Sequence, residues 1–331
     1  MSSFHKRKGL LNKIAKARSS SVISYITGDR RQLETQISPE VIDIFVEHLD
    51  DIGPTKRISL VLYTLGGNTA AAWRLINLLH TFCDELEVII PSKALSAGTL
   101  ISLGATKIIM TKQAALGPID PSINHPLNPL IPGSQARSPV SVEAVRGYLD
   151  AAKELGIDNG ESATKLLVDL SNKVHPLVLG EIFRSQSQIR FLAKKLLKKQ
   201  VKDEKKIDAI IDFLCAESGS HDYTINRREA RELGLNIENP SDSFYSILRE
   251  LHLSYVNEFK LLEPFDPWNL FPSEHLTVDY RLPRAAIESC KTGSHQYISE
   301  GTLSKNPAGQ ETPDPNRVVN DRRNFEGWRK I

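Results

Sequence analysis

The sequence predicts an α/β fold built around a parallel β-sheet. Three apolar runs support this prediction, at residues 58–63, 87–90 and 107–110, and a stretch of helical character separates each run from the next. Two strand–helix–strand units in about 50 residues require parallel strands joined by right-handed crossovers. The first run is almost continuously apolar, which is typical of a strand that is buried on both faces of a sheet.

Two elements are predicted before these units. Residues 21–26 have the β-branched and aromatic composition of a strand, and residues 39–48 carry apolar side chains at the helical period. Ser38 is expected to cap that helix, with proline at its first position. The basic, serine-rich residues 1–20 are expected to form a flexible arm or a short helix.

Within and after the two units, capping residues define the predicted helices. Asn68 is expected to cap a helix over Thr69–Phe82, and a second helix is expected over Ala97–Leu103. Further helices are predicted over residues 142–155, 175–215 and 229–233, the first of them capped by serine.

The chain is expected to divide into a main domain over residues 21–240 and a C-terminal part. A proline-rich loop interrupts the domain at 121–139 and has the length of a lid or a disordered insert. Residues 241–282 are expected to be a helical or irregular extension. Beyond them, residues 283–331 are rich in Gly, Pro, Ser, Asn and charged side chains, so we predict a disordered tail.

Composition excludes several classes of protein. The 331 residues carry 42 Lys and Arg against 40 Asp and Glu, so strong attraction of the whole molecule to nucleic acid is not expected. Three cysteines without close spacing argue against a disulfide framework or a structural zinc site. No apolar run is long enough to cross a membrane and no signal peptide is evident, which predicts a cytoplasmic protein.

The chemistry-bearing residues lie at the carboxyl ends of the first two predicted parallel strands. Gly66 and Gly67 follow one strand, and Ser96, with Ala97 after it, stands between the next strand and its helix. Backbone N–H groups at such loops can stabilise an oxyanion, and ligands of parallel sheets bind at this edge. The alternative is that Ser96 only caps its helix and the glycines only form a turn.

Short motifs in a fixed order give this chain a resemblance to the serine dehydrogenase proteinase family, whose distant relatives are the Clp protease and signal peptide peptidase A. The resemblance covers about residues 20–240. The motifs are Tyr-Thr-Leu-Gly-Gly at 63–67, Ser-Ala-Gly-Thr at 96–99, Leu-Gly-Pro-Ile-Asp-Pro at 116–121, His-Pro-Leu-Val-Leu-Gly at 175–180, and Ser-His-Asp-Tyr at 220–223 followed by Glu-Ala-Arg-Glu-Leu-Gly-Leu at 229–235.

This resemblance implies a Clp/crotonase-like fold of stacked ββα units with a helical C-terminal elaboration, commonly assembled into oligomers. It implies that Ser96 is the nucleophile and that the oxyanion-hole amides come from Gly67 and Ala97, with Gly66 as a third oxyanion-hole residue. The base stays open. The candidates are His175 or His221, with Asp120 as the orienting carboxylate, and Lys153 if the pair is the Ser-Lys dyad of the signal peptide peptidase relatives.

The expected function is therefore that of a serine peptidase acting on peptides or unfolded polypeptide, as a homo-oligomer without metal or organic cofactor. A crotonase-like acyl-thioester enzyme and a catalytically silent scaffold for oligomerisation are the alternatives. A basic helical stretch at 184–206 is interpreted as a solvated face, because its aromatic residues do not alternate with its basic ones as in a single-strand nucleic-acid surface.

Overall fold

The computed structural model describes residues 3–119, 122–123, 125–157, 159–217, 223–272, 275–305 and 319–331. The helices are α1 (Ser3–Arg18), α2 (Val41–Ile52), α3 (Thr69–Phe82), α4 (Ala97–Leu103), α5 (Val142–Glu154), α6 (Gly160–Lys173), α7 (Pro176–Leu197), α8 (Glu204–Asp212), α9 (Arg227–Glu232) and α10 (Asp242–Phe259). The strands are β1 (Ser21–Thr27), β2 (Thr55–Tyr63), β3 (Cys83–Ile90), β4 (Lys93–Ala94), β5 (Lys107–Met110), β6 (Ala115–Leu116), β7 (Ser122–Ile123), β8 (Val140–Ser141), β9 (Ile225–Asn226), β10 (Ile237–Glu238), β11 (Thr277–Ser289), β12 (Gly293–Lys305) and β13 (Val319–Lys330).

The main sheet has eight strands in the order β10-β5-β3-β2-β1-β11-β12-β13. The strands from β10 to β1 pair in parallel, and β11 joins β1 antiparallel to begin an antiparallel half with β12 and β13. The α/β fold and the parallel order of the central strands are thus confirmed. The antiparallel half was not predicted.

Helices cover both faces of the parallel half. Leu60 and Leu62 of β2 point into a core shared with α2, α3, α4, α7 and α8, whereas Val61 and Tyr63 point into a second core shared with α1 and α10. Alternating side chains of one strand therefore bury on opposite faces. This double burial is the physical reason for the continuous apolar run in the sequence.

A small second sheet lies at the carboxyl edge of the main one, in the order β4-β6-β9. Its first strand is joined to the end of β2 by a parallel bridge between Thr64 and Ala94. The turn that follows β4 therefore starts from a fixed position beside the end of β2.

Of the two alternatives expected for residues 1–20, the flexible arm is wrong and the helix is confirmed, because residues 3–18 form α1. One side of this helix is buried, including Leu11 and Ile14. Arg7 is fully buried as well, and its guanidinium donates hydrogen bonds to both carboxylate oxygens of Glu288, at 2.7 and 2.8 Å. The apolar positions recur at the helical spacing and hold the helix on the sheet against α10.

The predicted disordered tail at 283–331 is also wrong for its described residues. Residues of β11 pair with β1, as in Ile23 opposite Ser289, and β12 and β13 continue the sheet. The polar composition suggested a solvated loop, but several of these polar side chains are buried and hydrogen-bonded to one another. Ser294, for example, donates to the Glu288 carboxylate at 2.8 Å. The expected extension at 241–282 contains α10 and the beginning of β11.

Several boundaries also differ from prediction. Helix α2 starts at Val41 instead of residue 39, and Ser38 does not cap it; the Ser38 hydroxyl donates to Glu40 at 3.1 Å. The long helix expected over 175–215 is interrupted between α7 and α8, where Asp203 caps the second helix. By contrast, the Asn68 cap of α3 is confirmed, since its side-chain oxygen accepts from the Ala71 N–H at 2.8 Å.

The proline-rich segment at 121–139 is bracketed by the short pair β7 and β8. Within it, Leu130 bridges Arg137, so the described part of the expected loop is a hairpin with internal pairing. Among the described residues, no helix is long and apolar enough to cross a bilayer.

Candidate active site

Ser96 lies between β4 and α4 in a backbone conformation that only a few non-glycine residues adopt. Its φ is +50° and its ψ is −114°, and its side chain forms no capping hydrogen bond with α4. The Ser96 hydroxyl thus binds no N–H of α4, and its strained strand-to-helix turn is the kind of turn on which nucleophilic serines occur. The alternative that Ser96 serves as a simple helix cap is therefore not supported.

The Gly66–Gly67 loop lies directly against Ser96. A Cβ built on Gly66 would stand 2.8 Å from the Ser96 Cβ and 3.0 Å from the Leu95 carbonyl oxygen. The ends of β2 and β4 are joined, since the Thr64 N–H donates to Lys93 O at 3.1 Å and the Leu95 N–H donates to Thr64 O at 3.0 Å. The two loops converge at one edge of the sheet, as the spacing of the motifs predicts.

The backbone of the glycine loop leaves one N–H available at this edge. Gly66 donates its N–H to Thr64 Oγ1 at 2.9 Å, so the expectation that Gly66 is itself an oxyanion donor is not supported. Gly67 is held by Ile37, whose N–H donates to Gly66 O and whose carbonyl accepts from Asn68, both at 2.8 Å. In that parallel bridge the Gly67 N–H points away from Ile37.

A second N–H is available at the start of α4. The Ala97 N–H has no acceptor within its own helix because it belongs to the first helical residue. The next residue, Gly98, instead donates to Leu95 O at 2.8 Å. Within the described ranges, neither the Gly67 N–H nor the Ala97 N–H forms a hydrogen bond, so both are free to bind an anion.

Two threonines that the sequence analysis did not single out hold these loops. Thr64 accepts from the Thr27 hydroxyl at 2.8 Å as well as from Gly66. The single hydroxyl proton of Thr99 has two acceptors in reach, Ala94 O at 3.0 Å and Gly117 O at 2.8 Å, and the oxygen accepts from the Gly117 N–H at 3.0 Å, which fixes α4 to the ends of β4 and β6. Thr64 lies just before the Gly66–Gly67 pair and Thr99 just after Gly98. A threonine beside a glycine is common in sequences, so this position did not indicate a structural role.

A charged cluster next to β4 was also missed. Lys93 pairs with Asp29 at 2.5 Å, and the Tyr63 hydroxyl donates to the same carboxylate at 2.7 Å. The ring of His252 lies 5.2 Å from that of Tyr63, and burial lowers the pKa of His252 to about 4. Burial raises the pKa of Tyr63, and the nearby negative charge of Asp29 raises it further. The cluster ties the strand before Ser96 to the end of β1.

The structure does not bring the described candidate bases onto Ser96. His175 caps α7, with its Nδ1 accepting from the Leu177 N–H at 3.2 Å, and Lys153 is exposed on α5 beside Asp150 at 3.6 Å. Neither forms a hydrogen bond with Ser96. The other two candidates, Asp120 and His221, lie outside the described residues.

No group of three or more His, Cys, Asp and Glu side chains that could hold a metal ion occurs in the parts of the chain that the structure describes. The arrangement that is present consists of a hydroxyl and two main-chain donors. This arrangement can accept an acyl carbonyl, with the carbonyl carbon on Ser96 Oγ and its oxygen on the N–H groups of Gly67 and Ala97.

The sequence is similar to two uncharacterized proteins of Methanocaldococcus jannaschii. The chain is 31% identical over 204 residues to the uncharacterized protein MJ0137 of Methanocaldococcus jannaschii, covering 61% of each chain. It is 29% identical over 180 residues to the uncharacterized protein MJ1495 of the same organism, covering 54% of this chain and 51% of that one. The chain thus spans about half to three-fifths of the length of these relatives.

Similar solved structures include a variant of the 1510-N membrane-bound stomatin-specific protease, at 16% identity and a TM-score of 0.40 over 62% of this chain and 76% of that one. ClpP1 from Listeria monocytogenes matches at 14% identity and a TM-score of 0.38 over 71% of this chain and 99% of that one. A family model described as ClpP-like SDH-type serine proteinase matches residues 1–257. The chain belongs to this family of ClpP-like serine proteinases.

Proposed function

We propose that this protein is a serine peptidase that hydrolyses peptide bonds through an acyl-enzyme on Ser96. The observation that carries the proposal is the strained turn of Ser96, which packs against the Gly66–Gly67 loop at the edge where the N–H groups of Gly67 and Ala97 form no hydrogen bond within the described residues. Membership in the ClpP-like serine proteinase family supports it.

In the proposed reaction, Ser96 Oγ attacks the peptide carbonyl carbon while a base takes the hydroxyl proton. The carbonyl oxygen becomes an oxyanion that accepts hydrogen bonds from Gly67 and Ala97. The C–N bond then breaks, and the leaving amine takes the proton from the base. Water adds to the resulting ester in the same way, which releases the acid and restores the Ser96 hydroxyl.

For the base we propose a histidine, His175 or His221, oriented by Asp120, with Lys153 as the alternative. His175 would have to give up its capping hydrogen bond to serve, because its Nδ1 accepts from Leu177. The substrate proposed is extended or unfolded polypeptide, admitted past the proline-rich hairpin at 125–139.

The experiment is active-site labelling of the full chain with a fluorophosphonate probe, with hydrolysis of an unfolded protein measured in parallel. We expect the wild type to be labelled at one serine, and Ser96→Ala to lose both labelling and hydrolysis. Ser92→Ala is the matched control, since this serine lies four residues before Ser96 in the same turn region and should keep both.

A catalytically silent scaffold remains the second candidate, because no titratable side chain among the described residues lies in hydrogen-bonding contact with Ser96. This candidate predicts a folded protein that is not labelled under conditions in which a related protease reacts. A crotonase-like acyl-thioester enzyme would instead bind an acyl thioester and keep its activity in Ser96→Ala.

A further inference from the structure

Thr64 contacts both loops of the candidate active site, with its main chain and with its side chain. It directly follows β2 and is fully buried. Its N–H donates to Lys93 O at 3.1 Å, and its carbonyl oxygen accepts from the Leu95 N–H at 3.0 Å. The main chain on both sides of Ala94 is therefore tied to Thr64, and the turn that carries Ser96 starts from these two hydrogen bonds.

The hydroxyl of Thr64 holds the glycine loop. Its oxygen accepts from the Gly66 N–H at 2.9 Å and from the Thr27 hydroxyl at 2.8 Å, and its proton has Gly66 O in reach at 3.3 Å. These contacts use both lone pairs and the single proton of the hydroxyl. Because the Gly66 N–H is bound here, the N–H of the glycine pair that stays available to an anion is that of Gly67.

The methyl group of Thr64 lies against the first turn of α4. A Cβ added to Gly98 would overlap Thr64 Cγ2, so the missing side chain at Gly98 is what lets the helix approach the end of β2. Gly98 directly follows Ala97, whose N–H is the second available donor. The methyl group thus sets how closely the start of α4 can approach the glycine loop.

The two branches of Thr64 move together. The hydroxyl and the methyl group share one Cβ, and a β-branched side chain has few accessible χ1 rotamers. With the hydroxyl bound to Gly66, the same torsion angle directs the methyl group onto Gly98. Serine would supply only the hydroxyl and valine only the methyl group at this position, whereas threonine supplies both.

We propose that Thr64 is a positioning residue that fixes the separation of the Gly67 and Ala97 N–H groups. This inference rests on the proposed function, in which both N–H groups bind the same oxyanion. Oxyanion-hole donors act at about 2.7–3.1 Å from the oxygen, and a misplacement of about 1 Å can cost roughly 100-fold in rate. Because Thr64 is fully buried and acts through its neighbours, its loss should slow the chemical step more than it weakens the binding of substrate.

The first test separates the two branches of the side chain in the full-length protein. Thr64→Val keeps the branched shape and removes the hydroxyl, so the Gly66 N–H loses its acceptor. We expect the second-order rate of fluorophosphonate labelling at Ser96 to fall at least about tenfold, and kcat for hydrolysis of an unfolded protein to fall as much with KM little changed. Thr64→Ser keeps the hydroxyl and should show a smaller loss of labelling rate, about threefold, for the missing methyl group.

Thr111→Val is the matched control. Thr111 is also buried and directly follows a parallel strand, β5, and its hydroxyl donates to Pro91 O at 2.9 Å. The control loses one buried hydrogen bond as well, and it should keep the wild-type labelling rate even where urea unfolding shows a similar loss of stability. Folded Thr64→Val labelled at the wild-type rate, or equal slowing in Thr111→Val, would overturn the proposal. If Thr64→Val does not fold, a wild-type labelling rate in Thr64→Ser would overturn it instead.

The second test does not depend on peptidase activity. In protein labelled selectively with ¹⁵N-glycine, NMR follows amide hydrogen exchange at Gly66. We expect this exchange to accelerate at least about tenfold in Thr64→Val, because the N–H has lost its acceptor, and to stay at the wild-type rate in Thr111→Val. A wild type that the fluorophosphonate does not label would refute the proposed function alone. Accelerated Gly66 exchange in Thr64→Val would still support the positioning role, and unchanged exchange would overturn it.

Discussion

Adding a methyl group at Gly66 should disable Ser96 without removing it. Gly66 has a φ of +118°, and a Cβ there would lie 2.8 Å from the Ser96 Cβ, well inside ordinary contact distance. Neighbouring backbone at Leu95 O, at 3.0 Å, blocks relief in that direction. The strained backbone of Gly66→Ala alone costs about 1–3 kcal/mol. Relief of the overlap must move the Ser96 turn by several tenths of an ångström.

Because a misplacement of about 1 Å at a reacting group can cost roughly 100-fold in rate, we expect Gly66→Ala to slow fluorophosphonate labelling of Ser96 by at least about tenfold. The assay is the second-order labelling rate of the folded protein, with stability measured separately by urea unfolding. Gly53→Ala is the matched control, since its φ is +71° but nothing lies within 4 Å of the added Cβ.

The control should lose stability through the same backbone strain and keep the wild-type labelling rate. Labelling of Gly66→Ala at the wild-type rate would refute the close packing of the glycine loop on Ser96. An equal loss in Gly53→Ala would show that general destabilisation, and not the contact, slows the reaction.

Three further predictions concern stability. Arg7→Met removes the cationic partner of the buried Glu288 carboxylate and should lower the free energy of unfolding by about 3–5 kcal/mol in urea. Lys6→Met, at an exposed ion pair, should change it by less than about 0.5 kcal/mol. Burial lowers the pKa of His48 from 6.5 to about 4, so the folded state favours the neutral imidazole. The resulting stability of about 3 kcal/mol is fully present above pH 6.5 and is lost as the pH falls toward 4. His48→Gln should flatten the dependence of the free energy of unfolding on pH over that interval, and an unchanged profile would contradict this. Deletion of residues 319–331 removes β13 and should lower the free energy of unfolding by at least about 2 kcal/mol; an unchanged melting temperature would be the result expected of a disordered tail.

The parallel half of the sheet could be predicted because its signals are local. The continuous apolar run of β2, the Asn68 cap and the glycines after the strand each report on their own neighbourhood. Together with the right-handed crossover rule they place Ser96 and Gly67 at one edge. The strained φ of Ser96 and the occupied N–H of Gly66 are set by tertiary contacts, so no sequence pattern could supply them.

The C-terminal half could not be predicted because its stability comes from pairs that are distant in sequence. Glu288 and Ser289 look like loop residues until Arg7, 281 positions earlier, and His48, 241 positions earlier, supply their partners. Burying a charged side chain is unfavourable unless an oppositely charged partner lies beside it. The composition of a segment cannot show which distant residue will be that partner. The same reasoning explains why the sequence did not decide between a flexible arm and a helix for residues 1–20.

A crystal structure of the fluorophosphonate adduct would test the central claim most directly. We predict a covalent bond from Ser96 Oγ to phosphorus, with the phosphonyl oxygen between about 2.7 and 3.1 Å from the backbone nitrogens of both Gly67 and Ala97. An adduct on another residue, or a phosphonyl oxygen turned away from these two nitrogens, would contradict the account.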